Sequence, residues 1–213
     1  MTSNSRSLDH LPPLPRAFYI RDPRRVAREL LGKVLVRHDR GSLRAGRIVE
    51  VEAYLGRKDP AAHAFSGPTP RNQVLFGPPG HAYVYFIYGN HYCLNVSCEP
   101  EGRGGGVLFR ALEPISGIEA MARARHLRLP SVPRPGELRL LASGPGRLAE
   151  ALGITRPRDN AKDFASPVAD LQIVDDGFPP ARVALTPRVG ITKAADHKLR
   201  YLIAGNPFVS GKR

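Results

Sequence analysis

The sequence lacks the long apolar runs and the leader signals that would mark a membrane or exported protein. It has no stretch of about 18 consecutive apolar residues, so no segment is expected to span a bilayer. Residues 1–15 contain no apolar core and no small-residue cleavage site, and they are expected to form a disordered tail, not a signal peptide. Because internal repeats and long linkers are also absent, a single domain is expected over residues 16–213.

Cysteine is scarce as well. Cys93 and Cys98 are the two cysteines, and their odd spacing directs them to opposite faces of a strand, so they are not expected to form a disulfide. Two buried thiols are compatible with a reducing cytosol. The seven histidines do not fall at metal-ligand spacing, so no metal site is expected.

Acidic residues are few compared with basic ones. The chain has 19 Asp and Glu against 32 Lys and Arg, which gives a formal charge of +13 and a pI near 10.4. An excess of this size favours a polyanionic partner. Arginine supplies most of the positive charge and suits bidentate phosphate contacts. A genome rich in G and C would raise the arginine content too, so the ratio of arginine to lysine alone identifies no partner.

The local patterns predict an α+β fold with a curved, mostly antiparallel sheet, flanking helices and a protruding β-hairpin. Asp22 and Pro23 are typical of a helix start, and Gly32 of its end. Further helices are expected over 118–127 and 145–152, with a long ordered loop over 56–79. Strands are expected over residues 34–36, 45–54, 82–88, 91–97, 106–112, 171–174, 183–186 and 199–204.

The strand over residues 45–54 carries acidic and aromatic side chains on one face. Period-two geometry places Glu50, Glu52 and Tyr54 together and three apolar residues on the opposite face. An exposed sheet face would explain this pattern, because Glu is usually exposed. A wet cleft would explain it too, because a buried carboxylate without partners is costly.

An aromatic hairpin follows this strand. Residues 83–92 interleave tyrosine and histidine with apolar residues, and Gly89-Asn90 fits a two-residue turn with glycine in the first central position. Tyr88 then lies at the hairpin tip. Aromatic side chains beside a basic surface are the groups on which nucleic-acid binders stack bases.

Seven segments together carry a resemblance to a known family: residues 47–56, 61–63, 69–72, 83–89, 93–97, 107–114 and 143–145. In this order they resemble the alkyladenine DNA glycosylase (3-methyladenine DNA glycosylase) family, and the match covers roughly residues 15–210. The resemblance implies a fold like the C-terminal domain of methionyl-tRNA formyltransferase. It also implies excision of alkylated or deaminated purines (3-methyladenine, 7-methylguanine, hypoxanthine, ethenoadenine) from double-stranded DNA, by a monomer that needs no cofactor and no membrane.

The resemblance assigns the chemistry to Glu52. Parity cannot choose between Glu50 and Glu52, and the match to Glu-Ala-Tyr at residues 52–54 makes the choice. The implied role is to activate the water that hydrolyses the N-glycosidic bond. Arg110 falls at a family position beside the site, where it would orient Glu52 or a phosphate; an ordinary ion pair is the alternative. No lysine lies in the matched pocket motifs, which favours a glycosylase without lyase activity.

Further positions match the family's base and DNA contacts. Rings at the stacking positions would hold a cationic alkylated base through cation–π interactions, and Asn95 would exclude the 2-amino group of guanine. Tyr88 would fill the gap left by the flipped nucleotide, beside a hairpin tip that is more polar than expected. The resemblance thus implies base binding by Tyr54, His63, Tyr85 and Asn95, and DNA binding or intercalation by Tyr88, Arg71, Asn90 and His91.

Two other classes remain open from the sequence. A non-catalytic nucleic-acid module of the same fold would bind without needing Glu52. A metal nuclease using Glu50, Glu52 and a histidine would need ligand spacing that the sequence does not show. The family resemblance implies a place at the nucleoid in a bacterium, or in the nucleus in a eukaryote.

Overall fold

One antiparallel sheet organises the part of the chain that the computed structural model describes, residues 8–39, 41–87, 89–179 and 182–211. The strand order is β3-β4-β5-β2-β1-β6, and β8 joins β7 to β2. Every pairing in these ranges is antiparallel, as predicted. The eight strands are β1 Val34–Asp39, β2 Ser42–Tyr54, β3 Ala82–Ile87, β4 His91–Cys98, β5 Gly105–Ser116, β6 Leu171–Val174, β7 Val183–Thr186 and β8 Arg200–Ile203.

Six helices flank the sheet within the described ranges, which confirms the α+β prediction. None of them is long and apolar enough to cross a membrane. Short 3-10 turns cover Leu8–His10, Gly56–Lys58 and Gln73–Phe76. The helices are α1 Arg16–Tyr19, α2 Pro23–Leu30, α3 Ile118–Ala124, α4 Pro135–Ala142, α5 Pro145–Ala151 and α6 Arg156–Asp159.

Local signals explain where α2 begins and why α4 was not predicted. The Asp22 side chain accepts a 2.8 Å hydrogen bond from the backbone N–H of Arg24, and Pro23 takes the first helical position. The sequence patterns predict no helix here, because residues 130–135 are rich in proline. In the structure Pro135 starts that helix, and the Glu137 carboxylate accepts a hydrogen bond from the Arg134 backbone N–H.

Alternation along β2, β3, β4 and β5 gives the sheet two different faces. One set of alternate residues joins the main hydrophobic core beneath the helices: Val51, Ala53, Val84, Leu94, Val96, Val107 and Phe109. The other set faces a cavity and carries the polar and aromatic groups: Glu52, Tyr54, Tyr83, Tyr85, Cys93, Asn95 and Arg110. The predicted period-two pattern of β2 therefore separates core from site.

Two bulges interrupt the pairing of β2 with β5 beside this cavity. The register shifts between Ile48 and Glu50, and again between Glu50 and Val51. Glu50 pairs with Ala111 and Val51 pairs with Phe109, so Arg110 is the extra residue of β5 between these two pairs. Bulges re-aim side chains, and here Arg110 reaches the carboxylates of β2.

The hairpin turn differs from the prediction. Ile87 pairs with His91, so three residues and not two separate β3 from β4. Gly89 has a φ of 72°, the left-handed conformation that three-residue hairpin loops commonly require. Sequence placed this glycine in the turn correctly but misassigned the register by one residue.

The segment before α1 also departs from the prediction of a disordered tail. Residues 8–15 include a 3-10 turn, and the Leu14 N–H donates to the Ile173 carbonyl at 2.8 Å. Leu14 is buried in the main core, while Leu8 and Leu11 pack beside Val34, Val36 and Val174. Short apolar residues between prolines give no periodic signal, which is why this contact was missed. Residues 1–7 lie outside the described ranges.

Candidate active site

A cavity of about 460 Å³ lies over the polar face of the sheet. Its volume falls within the range of about 300–1,000 Å³ that is usual for small-molecule sites. The floor comes from β2, β3, β4 and β5, and other segments complete the lining. These are residues 61–63, Leu75, Gly104, the start of α5 at residues 144–147, and the loop at residues 189–191.

Glu52 lies at the base of this cavity with its side chain fully buried. Its Oε1 accepts a 2.8 Å hydrogen bond from the Val189 N–H and lies 3.2 Å from an Arg110 Nη1. Its Oε2 accepts a 2.9 Å hydrogen bond from the Tyr54 hydroxyl. An ionised carboxylate has about four acceptor positions. The two hydrogen bonds and the ion pair with Arg110 therefore leave acceptor capacity for a group inside the cavity.

Glu50 is buried on the same face but is enclosed. Its Oε1 accepts from Arg110 Nε at 2.9 Å, from Arg200 Nε at 2.6 Å and from the Ser210 hydroxyl at 2.8 Å. Its Oε2 accepts from the Ser210 N–H at 2.5 Å. These four donors match the acceptor capacity of a carboxylate. Glu50 is not among the residues that line the cavity.

Arg110 connects the two acids. Its Nε donates to Glu50 while its Nη1 faces Glu52, and the guanidinium also lines the cavity. Burial opposes the charged guanidinium, but Glu52 and Glu50 outweigh this effect and raise the pKa of Arg110. Arg110 therefore forms ion pairs with both Glu50 and Glu52, and the role of orienting Glu52 stays a prediction.

A buried ion pair between Arg188 and Asp59, which was not predicted from the sequence, packs against the Tyr54 ring. The Arg188 guanidinium lies 4.6 Å from the centre of the Tyr54 ring and binds Asp59 in bidentate fashion at 2.5 and 2.9 Å. Arg188 also donates to the Ala53 carbonyl at 3.1 Å. Burial, followed by the Glu52 charge and hydrogen bond, raises the pKa of Tyr54, so its hydroxyl stays protonated and donates to Glu52.

His63, Tyr83 and Tyr85 form a group of three rings that lines the cavity. The His63 and Tyr85 rings meet edge to face with centroids 4.5 Å apart, and Tyr83 packs against both. Burial and then the nearby Arg71 charge lower the pKa of His63, so the imidazole is neutral at pH 7. Burial raises the pKa of Tyr85. These groups offer neutral aromatic surface to the cavity.

Asn95 and Cys93 lie between these rings and Arg110 on β4. The Asn95 amide nitrogen donates to the Tyr83 carbonyl at 3.1 Å, which turns its Oδ1 away from that carbonyl. Cys93 lines the cavity floor, and burial raises the pKa of its thiol. Cys98 lies in the main core, and both cysteines are free, as predicted.

The predicted DNA-contacting residues are distributed around the rim. Arg71 is exposed and lies 5.8 Å from the centre of the Tyr85 ring, and Asn90 is exposed in the hairpin turn. His91 points back into the site, where it lines the cavity against Gly146. A Cβ on Gly146 would lie 2.9 Å from the His91 ring, so glycine is needed there. Tyr88 lies outside the described residues.

Several residues of the site were not found from sequence. Val189, Arg188 and Asp59 act through contacts that span more than 120 residues of chain, and no periodic pattern marks such pairs. Tyr83 was within the aromatic hairpin but received no role. Within the ranges that the structure covers, no group of three or more metal-binding side chains is found, and the cavity lining contains no lysine.

Comparison with known proteins gives one consistent result. The family model described as methylpurine-DNA glycosylase (MPG) matches residues 17–207. A protein of Koribacter versatilis is 66% identical over 207 residues, covering 97% of each chain. Proteins of Burkholderia lata (50% over 199 residues; 93% of this chain, 91% of the relative) and Methanoculleus marisnigri (49% over 201 residues; 92% and 98%) are also similar. All three carry the name "Putative 3-methyladenine DNA glycosylase".

Proposed function

Because this chain belongs to the methylpurine-DNA glycosylase family and is a DNA glycosylase, we propose that it removes damaged purines from duplex DNA by hydrolysis at Glu52. The observation that carries the proposal is the buried Glu52 carboxylate, which lines the cavity and is held by hydrogen bonds from Tyr54 and Val189 and an ion pair with Arg110. A module that only binds DNA would gain nothing from such a carboxylate, because the charge would repel the phosphate backbone.

The proposed reaction takes place on a nucleotide rotated out of the duplex into the cavity. Water bound to Glu52 attacks C1′ of the sugar while the bond between C1′ and the purine nitrogen breaks. The bonding electrons leave with the base, and the proton from water passes to the carboxylate. The products are a free base and an intact strand with an abasic site. Positive charge that develops on the sugar is stabilised by the same carboxylate.

The bonds around Glu52 support this assignment. Val189 and Arg110 fix one carboxylate oxygen, and Tyr54 fixes the other through a hydroxyl that stays protonated. Glu52 therefore has little freedom to turn away from the cavity. A general base must be held within hydrogen-bond reach of its water.

The aromatic groups support a site for purines. Tyr54, His63 and Tyr85 all line the cavity, and the rings of His63 and Tyr85 meet edge to face. A cationic alkylated base between such rings gains cation–π stabilisation of about 0.5–2 kcal/mol. The described side chains of one chain supply both the rings and Glu52, which supports a monomeric enzyme. We assign Asn95 as the group that disfavours the 2-amino group of guanine.

The test is a panel of duplexes that each contain one lesion: 3-methyladenine, 7-methylguanine, hypoxanthine or ethenoadenine. Release of free base is measured by chromatography, and strand scission by denaturing electrophoresis before and after alkali. We expect base release with strands that break only after alkali, because no lysine lines the cavity. An undamaged duplex of the same sequence is the control.

Two results would contradict the proposal. Tight lesion binding without release of any base would favour the non-catalytic binding module. Scission before alkali treatment would show a lyase step and remove water as the sole nucleophile.

A further inference from the structure

Tyr83 contacts two of the residues proposed to bind the base, although sequence gave it no role. Its ring is only 1% exposed and lies in a small cluster with Ala64 and Leu75. Its hydroxyl lies 2.9 Å from Nδ1 of His63, and its carbonyl accepts from Asn95. A residue this rigid can determine how its neighbours present their hydrogen-bonding atoms.

The loop that carries His63 is fixed independently of the ring. The buried Asn72 amide donates to the His63 carbonyl at 2.8 Å and to the Gly67 carbonyl at 3.1 Å. The Asn72 Oδ1 accepts from the Thr69 N–H at 2.6 Å. With the backbone held and one ring edge against Tyr85, the remaining variable at His63 is which nitrogen carries the proton.

The surroundings of the Tyr83 hydroxyl determine the direction of its bond to His63. A neutral imidazole has one donor and one acceptor nitrogen. Among the described residues, Nδ1 of His63 is the hydrogen-bond partner of the Tyr83 hydroxyl. If Nδ1 carried the proton, the buried Tyr83 O–H would have no acceptor, which is costly. The O–H is therefore directed at Nδ1, and the proton of the neutral His63 ring lies on Nε2.

We propose that Tyr83 is a positioning residue that holds His63 with its proton on Nε2, so that the cavity presents a fixed hydrogen-bond donor to the extruded nucleotide. This inference rests on the proposed function. In the described part of the chain, Nδ1 is the His63 ring nitrogen with a hydrogen bond, and the residue lines the cavity with part of its surface exposed. Nε2 is thus available to a ligand.

The ligand chemistry is a hydrogen-bond acceptor on the flipped nucleotide. Two sources have this chemistry: a carbonyl or ring nitrogen on the damaged base, and an oxygen of its phosphate. A neutral lesion such as hypoxanthine carries a carbonyl and lacks the charge that favours an alkylated base in an aromatic site. If the acceptor is an atom of the base, a fixed donor on His63 should therefore matter most for neutral lesions.

The direct test is nitrogen-15 NMR of the histidine side chains in the free protein, with His63 assigned by comparison with the His63→Gln variant. We expect a single tautomer with the proton on Nε2. In Tyr83→Phe, the signals of the two ring nitrogens should move towards each other as the second tautomer becomes populated. Tyr19→Phe is the matched control, because it removes another buried hydroxyl, one without a hydrogen-bond partner in the described residues.

Excision assays identify the source of the acceptor. If it is the base, Tyr83→Phe should lower kcat/KM for hypoxanthine about fivefold, as expected for one neutral hydrogen bond, and leave 3-methyladenine almost unchanged. If the acceptor is a phosphate oxygen, Tyr83→Phe should lower kcat/KM equally for all lesions. The loss should then disappear when methylphosphonate replaces that phosphate.

Other results would overturn the inference. A proton on Nδ1 of His63 in the unmodified protein would do so, as would Tyr83→Phe behaving like Tyr19→Phe in both measurements. If Tyr83→Phe does not fold, the nitrogen-15 shifts of His63 in the unmodified protein decide the inference, because the proposal requires the proton on Nε2. The NMR measurement does not depend on catalysis. Absence of base release would therefore contradict the proposed function but would not decide the tautomer of His63.

Discussion

Glu50 and Glu52 lie one pleat apart on β2, and both are completely buried and bound to Arg110. They differ in their hydrogen-bond partners and in their access to the cavity. Glu50 accepts four hydrogen bonds and does not line the cavity, whereas Glu52 accepts two, pairs with Arg110 and lines it. Two acids that are equivalent by strand geometry thus have different environments, one structural and one available for chemistry.

The difference comes from residues that are remote in sequence. Arg200 and Ser210, which are 150 and 160 positions from Glu50, complete its shell. The loop at residues 189–191 contacts Glu52 through the backbone N–H of Val189 and lines the cavity beside it. The comparison indicates that later segments of the chain, and not β2 itself, determine which carboxylate can meet a substrate.

Glu52→Gln should have the largest effect in this comparison. Glutamine keeps the volume and can still accept from Tyr54, but it cannot take the proton from water. We expect single-turnover excision to fall about 10²–10⁴-fold, while affinity for a lesion-containing duplex is retained. Both are measured on the same duplex, by quench-flow and by fluorescence anisotropy. Glu119→Gln, on the exposed face of α3, is the control for the chemical change.

Glu50→Gln should instead act on stability. The substitution removes the carboxylate that Arg110 and Arg200 share and leaves Arg110 with Glu52 alone. Breaking a buried pair typically costs about 3–5 kcal/mol. Urea denaturation should show this loss in the free energy of unfolding. Excision per folded molecule should fall less than in Glu52→Gln. A variant of normal stability that excises as poorly as Glu52→Gln would reverse the assignment of the two acids.

Asp59→Asn tests the support behind Tyr54 and should have a smaller effect. The amide keeps one acceptor for Arg188 but loses the charge, so a stability loss of about 2–3 kcal/mol is expected at neutral pH. Burial opposes ionisation, but the Arg188 contacts prevail and lower the pKa of Asp59 below its ordinary value of 3.8. The stabilisation is therefore present above about pH 4 and is lost at lower pH.

That pH dependence gives the contradicting outcome for Asp59. In urea titrations the difference between Asp59→Asn and the unmodified protein should shrink as the pH falls from 5 towards 2. A constant difference over that range would mean that packing, and not the ion pair, accounts for the loss.

Sequence predicted the features that depend on local pattern. Alternation placed Glu52 and Tyr54 on one face of β2, and capping residues placed the start of α2. It could not predict α4, whose starting proline lies in a stretch that is typical of a linker. It also misjudged the hairpin by one residue, because glycine suits both two-residue and three-residue turns.

The site was predictable only in part for a physical reason. Side chains that point from adjacent strands into one cavity follow from period two, and these residues were found, with help from the resemblance. The contacts that tune them, such as Arg188 with Asp59 and Val189 with Glu52, depend on how distant loops pack. No spacing rule connects residues that are separated by more than 120 positions.

Tyr54→Phe should produce the smallest effect and separates the two roles of this residue. It removes the 2.9 Å hydrogen bond to Glu52 but keeps the ring above Arg188 and beside the base. A hydrogen bond to a charged group contributes about 1.5–3 kcal/mol. The lower end applies here because Val189 and Arg110 still hold the carboxylate, so excision should fall about tenfold with lesion affinity unchanged. A loss of affinity instead would mean that the hydroxyl meets the base, and Glu52 would then have two donors during the reaction.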